Sequence, residues 1–198
     1  MNGIILADKW AIEDHFLGIL DRVIGYMEEK KFNQIILVKP FDKESMDPIK
    51  KRYPNLKIYE NPFYKNYNEI YSLSLVDFPL EDTYIVRLAD PLNHNIFYEF
   101  ESARIFVTRK QDIKPEICYE IDDESNILDR RKTTEYLTIP VGIYFLKEKD
   151  LKLLNQEISE YLGISSLRDE ELGIETLLLS LQSKMDLKAY QIPSSYME

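Results

Sequence analysis

The spacing of hydrophobic residues along the chain predicts alternating strands and helices. Residues 3–7 form an almost continuous apolar run, which is typical of a strand that is covered on both faces. Within residues 12–27, apolar side chains recur every three or four positions and predict an amphipathic helix that ends near Lys31. A second buried strand is predicted over residues 34–39, and Pro40 ends it because proline cannot continue a central ladder.

The alternation continues through the middle of the chain. A polar helix is predicted over residues 44–52, a third strand over residues 55–61, a helix over residues 64–76 and a fourth strand over residues 82–90. Strands that follow one another through intervening helices pair in parallel, because a parallel pair requires a crossover connection. The first half of the chain therefore predicts a parallel sheet.

The second half of the chain predicts a mixed sheet. Residues 103–109, 115–121 and 136–147 are strand-like, and residues 122–126 have the turn chemistry of a hairpin between the second and third of these runs. Apolar stripes at helical spacing follow, and residues 187–192 are predicted to form a last edge strand.

Together these elements predict the α/β class. We expect residues 1–198 to form a single domain with a three-layer, Rossmann-like fold, in which a mixed, mostly parallel sheet is flanked by helices. The hydrophobic content of 44% supplies enough apolar area for such a core, so composition does not predict disorder.

The net charge narrows the classes of binding partner, and the cysteine content bears on the cellular compartment. The formal net charge of −10 argues against a nucleic-acid partner, because such binding depends on clustered Lys and Arg. An anionic small ligand would need local basic side chains that offset this charge. The one cysteine, Cys118, cannot form an internal disulfide, and no apolar run approaches the roughly 20 residues that span a membrane. We therefore expect a cytoplasmic protein that binds neither nucleic acid nor membranes.

Residues 60–76, ENPFYKNYNEIYSLSLV, combine asparagine, tyrosine and serine in a distinctive order. They resemble the segment after the third strand in the nucleotidyltransferase superfamily of sugar-phosphate and phosphocholine transferases. The residues that carry this resemblance are Asn61, Tyr64, Asn68, Tyr71, Ser72 and Leu73. Four other stretches, GIILA, KKFNQIILVKP, DTYIVRLAD and VGIYFL, resemble passages of the same family in the same order, so the resemblance covers most of the chain and implies a nucleotidyltransferase fold.

The resemblance implies a reaction in which a phosphate monoester attacks the α-phosphorus of a nucleoside triphosphate and expels pyrophosphate. In such enzymes a basic, glycine-rich loop holds the triphosphate and two acidic residues hold Mg²⁺. This chain departs from that pattern. The sequence DKWAIEDHF follows the first strand without a glycine, and the register places Ala89 where the first metal-binding aspartate would fall, with Asp90 one position later.

Two interpretations of Lys9 and Asp90 follow. If activity remains, Lys9 and Asp90 are the candidate catalytic residues, and Asp90 is the candidate ligand of an Mg²⁺ cofactor. Alternatively, Asp90 and Pro91 form an ordinary turn and Lys9 is a solvated surface charge. A magnesium cofactor is expected only under the first interpretation, and no cofactor under the second.

Other ligand-binding candidates lie near the carboxyl ends of predicted parallel strands, where open α/β sheets bind ligands. They are Ala7, Asp8, Lys39 and Arg87. Lys9, Lys39 and Arg87 together could bind an anion, although each alone is more often a surface charge. Arg87 lies in a strand that we expect to be buried, so its guanidinium needs a partner, for which Asp8 and Asp90 are the candidates.

Asn61, Asn68, Tyr71 and Ser72 also have two interpretations. They could bind a nucleotide base or a polar head group, with Tyr71 stacking on the ligand. Alternatively, the tyrosines are core aromatics and the amides cap backbone groups. An aromatic site for a quaternary ammonium group is a further alternative.

The sequence thus predicts a nucleotidyltransferase-like protein that is catalytically impaired or inactive and that binds a nucleotide, a phosphorylated small molecule or a protein partner. The first alternative is an active, Mg²⁺-dependent cytidylyl- or sugar-nucleotidyltransferase with a rebuilt site. The second is a structural subunit without a ligand, acting in an oligomer or as the partner of an active paralogue.

Overall fold

The computed structural model describes residues 1–7, 16–41, 47–79, 81–88, 92–109, 116–133, 138–169 and 172–197. The strands within these ranges are β1 Asn2–Leu6, β2 Gln34–Pro40, β3 Lys57–Asn61, β4 Thr83–Arg87, β5 Ala103–Arg109, β6 Glu116–Ile121, β7 Ile127–Thr133, β8 Thr138–Leu146 and β9 Leu187–Ile192. The helices are α1 Phe16–Glu29, α2 Asp47–Arg52, α3 Glu69–Ser74, α4 Glu148–Glu160, α5 Ile164–Leu167 and α6 Ile174–Ser180, followed by a short 3-10 helix, Ser194–Tyr196.

Seven of these strands form one mixed sheet in the order β3-β2-β1-β4-β8-β5-β9. The pairs β3–β2, β2–β1, β1–β4 and β5–β9 are parallel, whereas β8 runs antiparallel to both of its neighbours, β4 and β5. This arrangement confirms the predicted α/β class with a mixed, mostly parallel sheet. It also confirms that the last strand lies at an edge.

Helices cover both faces of the sheet because the central strands carry apolar side chains on both sides. Every residue of β1 is buried. One hydrophobic cluster joins the sheet to α3, α4 and α6, and a second joins it to α1. In α1, Leu20, Val23, Ile24 and Met27 recur at helical spacing and are at most 1% exposed, which explains why the sequence pattern located this helix.

The sequence predicted a hairpin between residues 115–121 and residues 136–147, and this prediction is wrong for the second strand. Asp122–Asn126 connects β6 to β7, and these two strands form a separate antiparallel pair. Within the turn, Asp122 Oδ1 accepts hydrogen bonds from the backbone N–H groups of Glu124 and Asn126 at 2.9 and 2.8 Å. β7 escaped prediction because its sequence, ILDRRKT, is polar and lacks a run of apolar residues.

The helix predicted over residues 64–76 is shorter in the structure. It begins at Glu69 because Asn68 is its N-cap, with an extended backbone and a side chain that accepts from the N–H of Ile70. The preceding residues form turns. No helix in the described part of the chain is long and apolar enough to cross a membrane.

Candidate functional site

A cavity of about 690 Å³ opens beside the carboxyl end of β4. Its walls come from the segment before α3, from the β6–β7 pair, from the start of β8 and from the segment between α5 and α6. The lining side chains with polar or charged groups include Tyr64, Lys65, Asn66, Tyr67, Asn68, Glu69, Arg87, Arg130, Arg131, Arg168, Glu175 and Thr176. The cavity therefore joins elements that are far apart in sequence.

Arg87, at the end of β4, forms ion pairs with two carboxylates in this cavity. Its Nη1 lies 3.4 Å from Glu69 Oε2 and its Nη2 lies 3.4 Å from Glu175 Oε1. Glu69 and Glu175 are 10% and 8% exposed, whereas Arg87 keeps a third of its side chain accessible. Burial opposes the charge of Arg87, but Tyr144, Glu69 and Glu175 outweigh it and raise the pKa of the guanidinium. Both carboxylates therefore share one cation of the protein itself.

Two tyrosines complete the environment of Glu175. The hydroxyl of Tyr144 donates to Glu175 Oε1 at 2.8 Å, and the hydroxyl of Tyr119 donates to Oε2 at 3.2 Å. Burial, followed by the nearby negative charge of Glu175, raises the pKa of both phenols above the ordinary value. Both hydroxyls therefore stay protonated at neutral pH and act as hydrogen-bond donors.

Glycines allow the close approach of this network to the backbone. Glu69 Oε1 accepts a 2.8 Å hydrogen bond from the N–H of Ile174, the first residue of α6. A Cβ on Gly173 would lie only 2.6 Å from the same oxygen. Gly142 of β8 adopts a left-handed φ of 70°, and the Nε atom of Arg87 would lie 3.1 Å from a Cβ there.

The charge of the cavity is opposite to the charge of the whole chain. Its described lining has five basic side chains, Lys65, Arg87, Arg130, Arg131 and Arg168, against two acidic ones, Glu69 and Glu175. Arg131 is also ion-paired with Asp129 at 3.1 Å. The chain as a whole has a formal net charge of −10, so the cavity is a local basic region of the kind that an anionic ligand requires.

Of the predicted site residues that the structure describes, Asn68 and Arg87 line this cavity. The side chain of Asn68 makes hydrogen bonds to the protein itself. Its Nδ2 donates to the backbone carbonyls of Ser166 and Asp169 at 2.9 and 3.0 Å. Its Oδ1 accepts from the N–H of Ile70. Asn68 thus holds the start of α3 against α5 and the residues that follow it.

Asn61, Ser72 and Tyr71 lie outside the cavity lining. Asn61 is fully buried, donates to the Ser72 hydroxyl at 2.7 Å and accepts from the N–H of Phe63 at 2.8 Å. Tyr71 packs against the rings of Phe63 and Tyr67, with centroids 5.7 and 5.2 Å away. These contacts correspond to the alternative in which the amides and tyrosines stabilise the local fold.

The other predicted residues divide between buried positions and positions that the structure does not describe. Lys39 is 7% exposed and ion-paired with Glu60 at 3.0 Å. Ala7 is buried, and its N–H donates to the carbonyl of Val38. Asp8, Lys9 and Asp90 lie outside the described residues, so their roles stay predictions. The described ion-pair partners of Arg87 are Glu69 and Glu175, neither of which the sequence had suggested.

No family model matches the chain, but individual proteins are similar to it. A choline-phosphate cytidylyltransferase of Haemophilus influenzae is 25% identical over 211 residues, which cover 98% of this chain and 89% of that protein. A second choline-phosphate cytidylyltransferase, from Streptococcus pneumoniae, is 27% identical over 112 residues, which cover 56% of this chain and 48% of the relative.

A solved structure shows the shared fold. The CTP:phosphocholine cytidylyltransferase from Streptococcus pneumoniae superposes with a TM-score of 0.80 at 20% identity, over 96% of this chain and 89% of that one. Sequence and fold place this chain with the nucleotidyltransferase superfamily.

The magnesium site expected for a nucleotidyltransferase can be tested against the described residues. Among them, no group of three or more His, Cys, Asp or Glu side chains is arranged to hold a metal ion. Glu69 and Glu175 are hard oxygen ligands, but both are ion-paired with Arg87 and so do not fit Mg²⁺. The magnesium prediction therefore depends on Asp90, outside the described residues.

Sequence analysis missed most of the cavity of this nucleotidyltransferase-like chain. The residues missed are Glu69, Arg130, Arg131, Arg168 and Glu175. Arg130, Arg131 and Lys132 form a basic run in an acidic chain, and that run is a signal that could have been used. Glu69 and Glu175 lie in helix first turns, where acidic residues are common for reasons unrelated to function.

Proposed function

We propose that this chain is a nucleotidyltransferase-like protein that binds a nucleotide together with a phosphorylated small molecule and transfers the nucleotidyl group weakly or not at all. The observation that carries the proposal is the basic cavity beside the carboxyl end of β4 in an otherwise acidic chain. Ligands of open α/β sheets bind at such an edge. The choline-phosphate cytidylyltransferases that align with the chain support the choice of ligand class.

The cavity can bind phosphate through its arginines. Guanidinium groups match two oxygens of a phosphate at once, and the exposed Arg168 and the half-buried Arg130 both line the cavity. The Nε atom of Arg130 is buried and has no hydrogen-bond partner among the described residues. A bound anion would supply a nearby acceptor or countercharge for that side chain.

The way in which the described carboxylates of the cavity are used supports impaired transfer. Catalysis in this superfamily needs carboxylates that hold Mg²⁺ between the reacting groups, and Mg²⁺ would neutralise charge on the phosphates. Glu69 and Glu175 are already ion-paired with Arg87. The segment after β1 also lacks glycines that would let backbone amides surround a triphosphate.

The second candidate function is active, Mg²⁺-dependent cytidylyl transfer. It is favoured by the alignment with the Haemophilus influenzae choline-phosphate cytidylyltransferase, which covers nearly all of both chains. In this case Asp90 and Lys9 would contribute to the reaction, and the described cavity would hold the acceptor.

Two measurements on the full chain separate these candidates. Isothermal titration calorimetry with CTP, UTP, ATP and GTP, each with and without Mg²⁺, measures binding. A coupled assay for pyrophosphate, run with phosphorylated acceptors, measures transfer. We expect binding of a nucleotide and pyrophosphate release at no more than about 1% of the 1–10³ s⁻¹ typical of enzymes. Turnover within the typical range would establish the second candidate, and no binding to any ligand would contradict both.

A pair of arginine variants tests whether the cavity is the binding site. Arg168→Gln removes an exposed charge from the cavity, whereas Arg52→Gln removes an exposed charge from α2, where Arg52 pairs with Asp21. We expect Arg168→Gln to weaken binding of the phosphorylated ligand about tenfold, because one charge-assisted hydrogen bond is lost. Arg52→Gln should leave the affinity unchanged. Equal effects of the two variants would contradict the assignment of the cavity as the binding site.

A further inference from the structure

We infer that Arg87 determines which phosphorylated molecules the cavity accepts. Its guanidinium lies between Glu69 and Glu175, where a cationic head group of a ligand would otherwise bind. The cavity therefore selects phosphate monoesters whose alcohol part carries no positive charge, and it disfavours choline-like groups. This inference rests on the proposed function, since it assumes that the cavity binds a phosphorylated small molecule.

Recognition of a cationic head group is strongest where carboxylates are not already ion-paired with a side chain of the protein. Glu69 and Glu175 are the acidic side chains of the described lining, and each is 3.4 Å from a nitrogen of Arg87. Glu175 additionally accepts hydrogen bonds from Tyr119 and Tyr144. A ligand cation would have to displace Arg87 to gain these partners.

Recognition of a quaternary ammonium group can also use the faces of aromatic rings. Tyr64 and Tyr67 line the cavity. The ammonium group of Lys65 already lies over the ring of Tyr64, 5.2 Å from its centroid. The ring of Tyr67 packs between those of Phe63 and Tyr71, at 5.4 and 5.2 Å. Both cavity-lining tyrosines are therefore already engaged, Tyr64 by a cation of the protein and Tyr67 by neighbouring rings, and a choline group would compete with these contacts.

The other arginines of the described lining disfavour a cationic ligand as well. Arg130, Arg131 and Arg168 add positive charge to the cavity, and Asp129 offsets only part of it through its ion pair with Arg131. A positively charged ligand tail would be repelled by these groups, whereas the phosphate of any monoester would be attracted. Discrimination should therefore depend on the tail of the ligand.

Four phosphate monoesters with small alcohol parts test this inference. Phosphocholine and phosphoethanolamine have a cationic tail, glycerol 3-phosphate has a neutral tail, and 3-phosphoglycerate has an anionic tail. Calorimetric titration of each into the full chain, with and without saturating CTP, measures the dissociation constants. We expect glycerol 3-phosphate and 3-phosphoglycerate to bind at least tenfold more tightly than phosphocholine. Equal or tighter binding of phosphocholine would overturn the inference.

Variants at Arg87 test its role directly. Arg87→Gln leaves Glu69 and Glu175 without their cation, so we expect the ratio of affinities to move at least tenfold toward phosphocholine. Arg87→Lys keeps a positive charge and should keep the wild-type order of ligands. A folded Arg87→Gln protein with an unchanged ratio would overturn the role of Arg87. If that variant fails to fold, the wild-type ratio alone decides the ligand class.

The outcomes also separate this inference from the proposed function. Binding of CTP without binding of any monoester would overturn the inference and leave nucleotide binding in place. Preference for phosphocholine would overturn the inference while supporting the proposed function. Absence of binding by every nucleotide and every monoester would overturn both.

Discussion

Glu175 and Asp150 are two buried carboxylates whose surroundings differ sharply. Glu175 lies in the first turn of α6 and Asp150 in the first turn of α4, and these helices are in contact. Both residues are buried. Glu175 has three partners, Arg87, Tyr119 and Tyr144. In the described part of the chain, neither oxygen of Asp150 makes a well-formed hydrogen bond, and the nearby backbone of Lys147 offsets the effect of burial only in part.

The difference shows that a buried acid can either organise a site or weaken a fold. The partners of Glu175 come from β4, β6 and β8, so this one carboxylate links three strands beside the cavity. Asp150 organises nothing of this kind, and burial raises the pKa of its carboxyl. An unsatisfied buried polar group costs about 1–3 kcal/mol, so Asp150 is a weak point in the stability of α4.

The strongest test of this contrast is Glu175→Ala. The change leaves Arg87, Tyr119 and Tyr144 without their common acceptor, and breaking a buried pair in this way costs about 3–5 kcal/mol. Urea denaturation should show this loss in the free energy of unfolding. Glu160→Ala, at the exposed end of α4, serves as control and should change stability by less than about 0.5 kcal/mol. A similar small effect for both variants would mean that the Glu175 network contributes little.

Arg87→Ala should have the next largest effect. Because a third of the Arg87 side chain is accessible to water, we expect a loss of about 2–3 kcal/mol, below that for Glu175→Ala. A double-mutant cycle with Glu175→Ala should give a coupling energy of about 0.5–3 kcal/mol, as for residues in one network. Unchanged thermal melting of Arg87→Ala would contradict a structural role for this ion pair.

Asp150→Asn should act in the opposite direction. The folded-state pKa of Asp150 is raised, so its contribution to stability is greatest below the ordinary aspartate pKa and falls as pH rises through the folded-state value. At pH 7 the variant should therefore be more stable than the wild type by about 1–2 kcal/mol. The gain should disappear as pH is lowered toward the ordinary value. A variant less stable than the wild type at pH 7, measured by urea unfolding, would contradict this explanation.

The smallest effect concerns Asn68, whose amide, like the Glu175 carboxylate, has several partners. Asn68→Ala removes the N-cap of α3 and should cost about 0.5–2 kcal/mol. Asn68→Asp keeps the acceptor for Ile70 but loses the donor to the carbonyls of Ser166 and Asp169, so it should be no more stable than Asn68→Ala. Thermal melting of both, with Asn66→Ala as control, measures the difference. Full stability of Asn68→Asp would show that the cap alone matters.

The fold could be predicted from the sequence wherever burial leaves a periodic pattern. β5 and β9 were located to the residue, because they combine apolar and β-branched side chains between polar segments. β7 was not predicted because it pairs with β6 without an apolar run of its own. Its three consecutive basic residues interrupt the alternating pattern that indicates a strand. The predicted start of α3 was too early, because the side chain of Asn68 caps the helix N-terminus and the helix begins at the next residue.

The candidate site was less predictable, for a different physical reason. The sequence identified Arg87 as a candidate because a guanidinium in a buried strand requires a partner. That requirement can be recognised from the sequence of the strand alone. Its partners lie 18 positions before it, at Glu69, and 88 positions after it, at Glu175, and only tertiary packing brings the three together. Asn61 and Asn68 show the reverse problem, because an amide that caps a helix has the same residue type as one that binds a ligand.

The position of β8 has a consequence for synthesis of the protein on the ribosome. β8 pairs with both β4 and β5, yet it follows them in the chain. The edge of β4 therefore stays unpaired until about 60 further residues have been translated, which at about 5–20 residues per second takes roughly 3–12 s. During this interval β5 is already available as a wrong neighbour, and an open edge favours such pairing. Translation speed between residues 88 and 146 should therefore influence how much nascent chain reaches the native state.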